Sequence, residues 1–443
     1  MYRIRQRAIC LRRAFLSCVL FFAVCLVAPS AGAQKGDHLQ PKPALLRLID
    51  ANLRQAVNQY KILMTRVPAG RMPKTWYANT DKLETSDAGW WTSGFYPGSL
   101  FYLYEFSHDT ALLDEAERRL HLLDSEQYNK TTHDLGFMMY CSFGNGLRLL
   151  DSPAYKDILL NSARSLSTRF NPNVGCIKSW DSKPWHFPVI IDNMMNLELL
   201  FWATHTSGDS SFYRIAVTHA NTTIRNHFRP DYSSYHVVDY DSATGGIIAK
   251  KTAQGFADSS AWGRGQSWGL YGYTMVYRST HDPRYLEQAR HIAQFILTNP
   301  NLPADKVPYW DYNAPGIPPA GTTTPGAPAA GTATPGAPAA ARTAFTGGPL
   351  RDASAAAVLA SALIELSHYV PSQEGRGYLD AAEQIIVTLS SNVYKPVVGS
   401  NGGFILRHSV GNLPGRSEID VPLTYADYYF IEAMLRYKEL GQK

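Results

Sequence analysis

Two short motifs each set an aspartate where a helix begins: "HDLGF" carries Asp134 and "IIDNMMN" carries Asp192. A lone aspartate at such a position ordinarily caps the first free backbone N–H groups. Two carboxylates turned into one concave site, each among apolar neighbours, have a second use. With one protonated and the other ionised, they form the acid–base pair that glycosidic chemistry needs. The two uses conflict, because a helix N-terminus lowers a carboxylate's pKa and a general acid needs it raised. Burial among aromatic side chains and a like charge nearby both push it up.

A third stretch, "SSAWGRGQSWGLYGY" (259–273), supplies groups that would surround such a pair. It contains Gly263, Gly265, Gly269 and Gly272, each costing about 1 kcal/mol against alanine inside a helix. The expectation is that these glycines let a ligand approach the backbone. At helical spacing Trp262, Gln266 and Gly269 share one face, and Arg264, Trp268 and Tyr271 another. Arg264 is expected to fork onto a carboxylate or sulfate, and Trp268 to stack on a pyranose ring. Trp91, His236 and Gln254 are further candidates on loops or helix starts, and His133 stands where it can orient its neighbour. No Cys or His/Asp spacing reads as a metal site, and there is neither a phosphate loop nor a nucleophile elbow. The expected chemistry needs no metal or cofactor.

Twelve helix-period segments must position these residues: 42–63, 92–107, 109–126, 134–150, 153–171, 191–206, 209–229, 259–280, 282–299, 353–368, 375–393 and 422–440. The links after most even segments are short and marked by Asp, Ser or Pro ("SHDT", "SGDSS", "STHDP"); those after most odd segments are long. Twelve helices joined this way predict an all-α toroid of six hairpins, an (α/α)6 barrel, with a small hairpin within 235–250. The unusual clusters at 89–98, 133–137, 190–196, 259–268, 351–357 and 424–429 all open even segments. In the toroid they converge on one end.

The first 33 residues read as a secretory signal peptide: five arginines, an apolar core, then "AGA". The catalytic domain is expected over 34–443, secreted or periplasmic, with no membrane anchor after cleavage. Removing those arginines from the 42 Lys+Arg leaves 37 against 37 Asp+Glu. That balance argues against a nucleic-acid partner or a polybasic membrane surface. Cys141 and Cys176 remain, read as free buried thiols, and the choice between monomer and dimer stays open. A Pro/Gly/Ala/Thr-rich loop insertion at about 314–348 contains a ten-residue repeat at 321–340 and cannot form a core.

Six stretches in order, "HDLGF", "IIDNMMN", "TAQGFADSSAWGRGQSWG", "PYWDYNAP", "RDASAAA" and "VPLTYADYYFIEAMLR", resemble the unsaturated glucuronyl hydrolases, glycoside hydrolase family 88. The resemblance runs from about residue 85 to 440. It implies an (α/α)6 barrel that removes the 4,5-unsaturated uronic acid left by polysaccharide lyases, by hydrating the C4=C5 vinyl ether. It implies Asp192 as general acid/base and Asp134 as the second essential carboxylate. Trp91, His236, Gln254, Trp262, Arg264 and Trp268 would be the binding residues, with an unsaturated oligosaccharide, expected to be glycosaminoglycan-derived, as substrate. Arg416 and Ser417 are offered as sulfate contacts near the leaving sugar. The alternatives are an unsaturated rhamnogalacturonyl hydrolase-like enzyme on pectin fragments and a non-catalytic glycan-binding relative.

Overall fold

A computed structural model describes residues 39–319 and 349–440. Residues 1–33, read above as a signal peptide, and the repeat at 321–340 lie outside the described residues. Twelve α-helices follow in order: α1 Pro43–Arg66, α2 Phe95–Ser107, α3 Thr110–Leu123, α4 Asn145–Leu150, α5 Pro153–Ser167, α6 Asn193–Ser207, α7 Ser210–His227, α8 Gly263–Thr280, α9 Pro283–Thr298, α10 Ala353–Ser367, α11 Ser372–Leu389 and α12 Thr424–Glu439. A π-helical stretch, Gly136–Gly144, runs directly into α4. The segment predicted at 134–150 is therefore one helix with a widened first half, a distortion that hydrophobic spacing does not reveal and that often accompanies function.

Three of the short links share one device. His108, Gly208 and His281 end α2, α6 and α8 in the left-handed conformation. In each case the next residue (Asp109, Asp209, Asp282) accepts a backbone N–H to start α3, α7 and α9. A left-handed stop followed at once by an aspartate cap turns the chain back within two residues.

Burial then sorts the helices into two rings. α10 is buried along its whole length, and α8 from Gly263 to Val276. The helices α2, the π–α4 unit, α6, α8, α10 and α12 contact one another in turn, and α12 closes back on α2. Each outer helix buries one stripe only; α9, for example, buries Tyr285, Gln288, Ala289, Ile292, Ala293 and Ile296. The result is the expected (α/α)6 barrel. The C-terminal halves of the inner helices are joined by a buried polar network. Arg278 and Arg436 both pair with Glu365, and Tyr271 and Ser361 donate to Glu432. Open space is thereby left to the N-terminal end.

The inner helices approach closely where a side chain is missing. A Cβ on Gly136 would stand 2.5 Å from Asn196 Cα, and one on Gly272 2.5 Å from Met194 Cβ. These glycines make room for a neighbouring helix. The reading that glycines of α8 admit a ligand is corrected accordingly. Gly136→Ala is expected to cost about 1–3 kcal/mol of stability through overpacking, read as a lower urea midpoint at unchanged slope.

Four small antiparallel sheets decorate the loops. One pairs β1 (Met72–Tyr77) with β2 (Lys82–Ser86), and another pairs β3 (Phe170–Asn171) with β4 (Cys176–Ile177). The predicted hairpin appears as β6 (Val237–Tyr240) and β7 (Ile247–Lys251), joined by β5 (Pro188–Ile190). Finally β8 (Ser409–Asn412) pairs with β9 (Ser417–Val421). Both described cysteines are free; Cys176 is buried and Cys141 only half-buried.

Candidate active site

At the N-terminal end of the inner ring lies a cavity of about 250 Å³. Seven of the nine residues singled out from sequence line it: Trp91, His133, Asp134, Asp192, His236, Gln254 and Arg264. They come from the starts of α2, the π-helical stretch, α6 and α8 and from the two segments that flank the hairpin of residues 237–251. Four of the six even-segment clusters thus line the cavity; those at 351–357 and 424–429 stand behind it, through Asp352 against Arg264 and Tyr425 against Trp91. The sheet formed by β5 and β6 brings two of these loops together, because Ile191 N–H donates to the His236 carbonyl.

Asp192 stands at the N-cap of α6 but makes no capping hydrogen bond. The residue is 8% exposed, and burial pushes its pKa up to about 7. The charge of Asp134 adds to the rise and that of Arg264 opposes it. Desolvation therefore wins over the Arg264 cation. Its Oδ2 has no hydrogen-bond partner among the described residues and lies 3.8 Å from His236 Nε2.

The tautomer of His236 follows from its surroundings. Nδ1 accepts the N–H groups of Ala253 and Gln254, at 3.0 and 3.1 Å, so the ring proton sits on Nε2 and faces Asp192. Burial pushes this imidazole's pKa down to about 3, which keeps it neutral. His133 is arranged the other way. Its Nδ1 donates to the Ser179 carbonyl at 2.7 Å, and its Nε2 stands 3.1 Å from Asp134 Oδ1. Burial lowers its pKa, against the pull of the Asp134 charge. The other oxygen of Asp134 accepts the Thr132 hydroxyl.

Two expectations are corrected. Arg264 lines the cavity, but its fork is already used: Nη1 pairs with Asp352 at 3.1 Å and Nη2 donates to the Gly411 carbonyl at 2.8 Å. Only Nε lacks a partner. Arg264 acts as a fixed positive charge between the Trp262 and Tyr425 rings. Trp268 is fully buried, packed against Phe137 and Tyr429, and belongs to the core. Trp262 also stands behind the surface, its ring against His236. The aromatic wall is made instead by Trp91, which leans on Tyr425 and Phe137.

Ile190, from the 190–196 cluster, also lines the cavity, as do Trp180 and Asn412, which sequence reasoning missed. Trp180 lies in an irregular loop, "KSWDSKPWHF", with no period to read; its only signal was proximity to "IIDNMMN". The β8–β9 hairpin reaches the cavity through Asn412, at the end of β8. Arg416 and Ser417 sit exposed on the β8–β9 connection and are not in the lining.

A buried carboxyl whose pKa is pushed up, beside a second carboxylate and walled by an aromatic face on this barrel, is the arrangement that proton transfer to a carbohydrate requires. No protein-family model matches the chain. It is 44% identical over 383 residues to an unsaturated glucuronyl hydrolase of Formosa agariphila, covering 86% of this chain and 88% of that protein. It is 27% identical to an unsaturated chondroitin disaccharide hydrolase of Streptococcus pyogenes, over 91% and 93% of the two chains. A solved unsaturated glucuronyl hydrolase specific for heparin superposes with a TM-score of 0.80 at 44% identity, covering 90% of this chain and 98% of that one. The chain belongs to the unsaturated glucuronyl hydrolases.

Proposed function

We propose that Asp192 is the general acid/base of this hydrolase and that its substrate is a heparin-type unsaturated disaccharide, one of the glycosaminoglycan fragments. In this reading protonated Asp192 gives its proton to C4 of the vinyl ether. The carboxylate so formed takes a proton from the water that adds to C5. The hemiketal opens and expels the remaining sugar. Asp134, held by the Thr132 hydroxyl beside His133, supplies the second carboxylate, and the Nε2–H of His236 is a donor beside the reacting acid. Arg264 contributes positive charge for the uronate without spending a new fork, and Trp91 and Trp180 offer flat faces to the ring.

The observation that carries the reading is the placement of Asp192: it lines the cavity, it is buried, and its Oδ2 has no hydrogen-bond partner among the described residues, a burial that pushes its pKa up to about 7. A carboxyl at its ordinary value would hold almost no proton to donate at neutral pH. The heparin-type preference rests on the 44% identity to the heparin-specific relative, against 27% to the chondroitin one. Export from the cytoplasm is part of the proposal and rests on the pattern of residues 1–33. Among the described residues no helix is long and apolar enough to cross a membrane.

The test is ultraviolet loss of the C4=C5 chromophore, with lyase-generated disaccharides from heparin, chondroitin, hyaluronan and pectin. The heparin member is expected to give the highest kcat/KM. Loss of absorbance only with the pectin member would move the assignment to rhamnogalacturonyl-type substrates. Binding without any loss would mark a glycan-binding relative.

A further inference from the structure

The two carboxylates sit on separate inner helices, and little in their own contacts fixes their mutual register. Asp192 Oδ2 has no protein partner, so its position depends on the residues beside it. Asp134 Oδ2 accepts the Thr132 hydroxyl, and its Oδ1 packs 3.1 Å from Nε2 of the His133 ring. Both sets of neighbours lead to Ser179, which is 1% exposed and outside the cavity lining.

Four hydrogen bonds stitch 177–179 to 188–193. Ser179 N–H donates to the Pro188 carbonyl at 2.8 Å. The Ser179 hydroxyl accepts the Ile190 N–H at 3.0 Å and donates to Asn193 Oδ1 at 3.2 Å. Asn193 Nδ2 donates to the Ile177 carbonyl at 2.7 Å. Ile190 and Asn193 bracket Asp192, so this hydroxyl holds the turn that presents the acid. The carbonyl of the same residue receives the His133 Nδ1–H, which fixes the imidazole whose Nε2 faces Asp134. Arg169, anchored on the carbonyls of Lys178 and Lys130, holds the strand from behind.

We infer that Ser179 is a positioning residue that sets Asp134 and Asp192 in register, acting through His133 on one side and through Ile190 and Asn193 on the other. The inference rests on the reading of Asp192 as general acid. Ser179→Ala removes the hydroxyl bridge and leaves the Ile190 N–H and Asn193 Oδ1 without their partner. A looser turn admits water around Asp192 and relieves the desolvation that raises its pKa.

Steady-state kinetics across pH, with melting curves to establish that each variant is folded, test the idea. Ser179→Ala is expected to lower kcat about 10- to 100-fold, the scale of a small misplacement of a reacting group. KM should move much less, and the alkaline limb of kcat should shift to lower pH. Ser179→Thr keeps the hydroxyl and should recover most of the loss. Should Ser179→Ala not fold, Asn193→Ala removes the hydroxyl's partner and is expected to shift the limb in the same direction. A folded variant with the wild-type limb and kcat would overturn the inference, as would equal losses in the Ala and Thr variants. Asp192→Asn, run alongside, separates the two readings: wild-type turnover there overturns the proposed function itself.

Discussion

Asp192→Asn is expected to lower kcat by about 10²- to 10⁴-fold, the usual contribution of a general acid, while binding of the unsaturated disaccharide is retained. The amide fills the same space between Ile190 and His236 but has no proton to give. The same substitution should stabilise the fold at alkaline pH. The folded-state pKa of Asp192, about 7, is above its ordinary value of 3.8, so the folded protein binds this proton more tightly than the unfolded chain. That stabilising contribution is complete below about 3.8 and is lost as pH rises through about 7. An asparagine has no such loss. The variant should therefore melt higher than wild type at pH 8, with little difference at pH 4. Wild-type kcat should in turn be highest below pH 7 and fall above it, as Asp192 loses the proton it must donate. A melting difference independent of pH would mean that Asp192 is not the buried, proton-holding group described above.

The barrel was legible because its signals are local. Apolar stripes marked the twelve helices, and the Asp that follows His108, Gly208 or His281 marked the hairpin turns. Asp134 and Asp192 were legible for a related reason, as carboxylates at the first turns of inner helices with apolar flanks. What sequence could not show was who stands behind whom. Arg264 and Trp268 share a helix face with spacing that suits a cavity wall, yet Arg264 meets Asp352, 88 residues away, and Trp268 meets Phe137 and Tyr429. Helical spacing fixes a direction from the axis but not the depth to which neighbouring helices fill it. The irregular loops carry no period at all, which is why Trp180 and Asn412 were missed. The direction of the Asp192 shift could be argued from neighbours, but its outcome depended on burial against the Arg264 charge, a contest only three-dimensional packing decides.

Removing the partner of Arg264 should bring the second large effect. Asp352 is fully buried; Oδ2 accepts from Arg264, while Oδ1 caps α10 through Ser354 N–H and Ala355 N–H. Asp352→Ala leaves a buried guanidinium without its counter-charge, a loss of about 3–5 kcal/mol, and removes a helix cap worth about 1 kcal/mol more. A fall in the denaturant midpoint measures it. The catalytic consequence has a defined sign. Arg264 already lowers the Asp192 pKa against burial, and without Asp352 its charge is less compensated. The Asp192 pKa should then drop, carrying the alkaline limb of kcat below its wild-type position. Combining Asp352→Ala with Arg264→Met replaces a broken ion pair by an apolar contact between the Trp262 and Tyr425 rings. Stability should partly return. The limb should now move the opposite way, above wild type, because the cation that opposed the rise is gone. Limbs displaced in the same direction in the single and double variants would show that Arg264 does not act on Asp192 through its charge. A wild-type midpoint for Asp352→Ala would show that the buried pair contributes nothing to the fold.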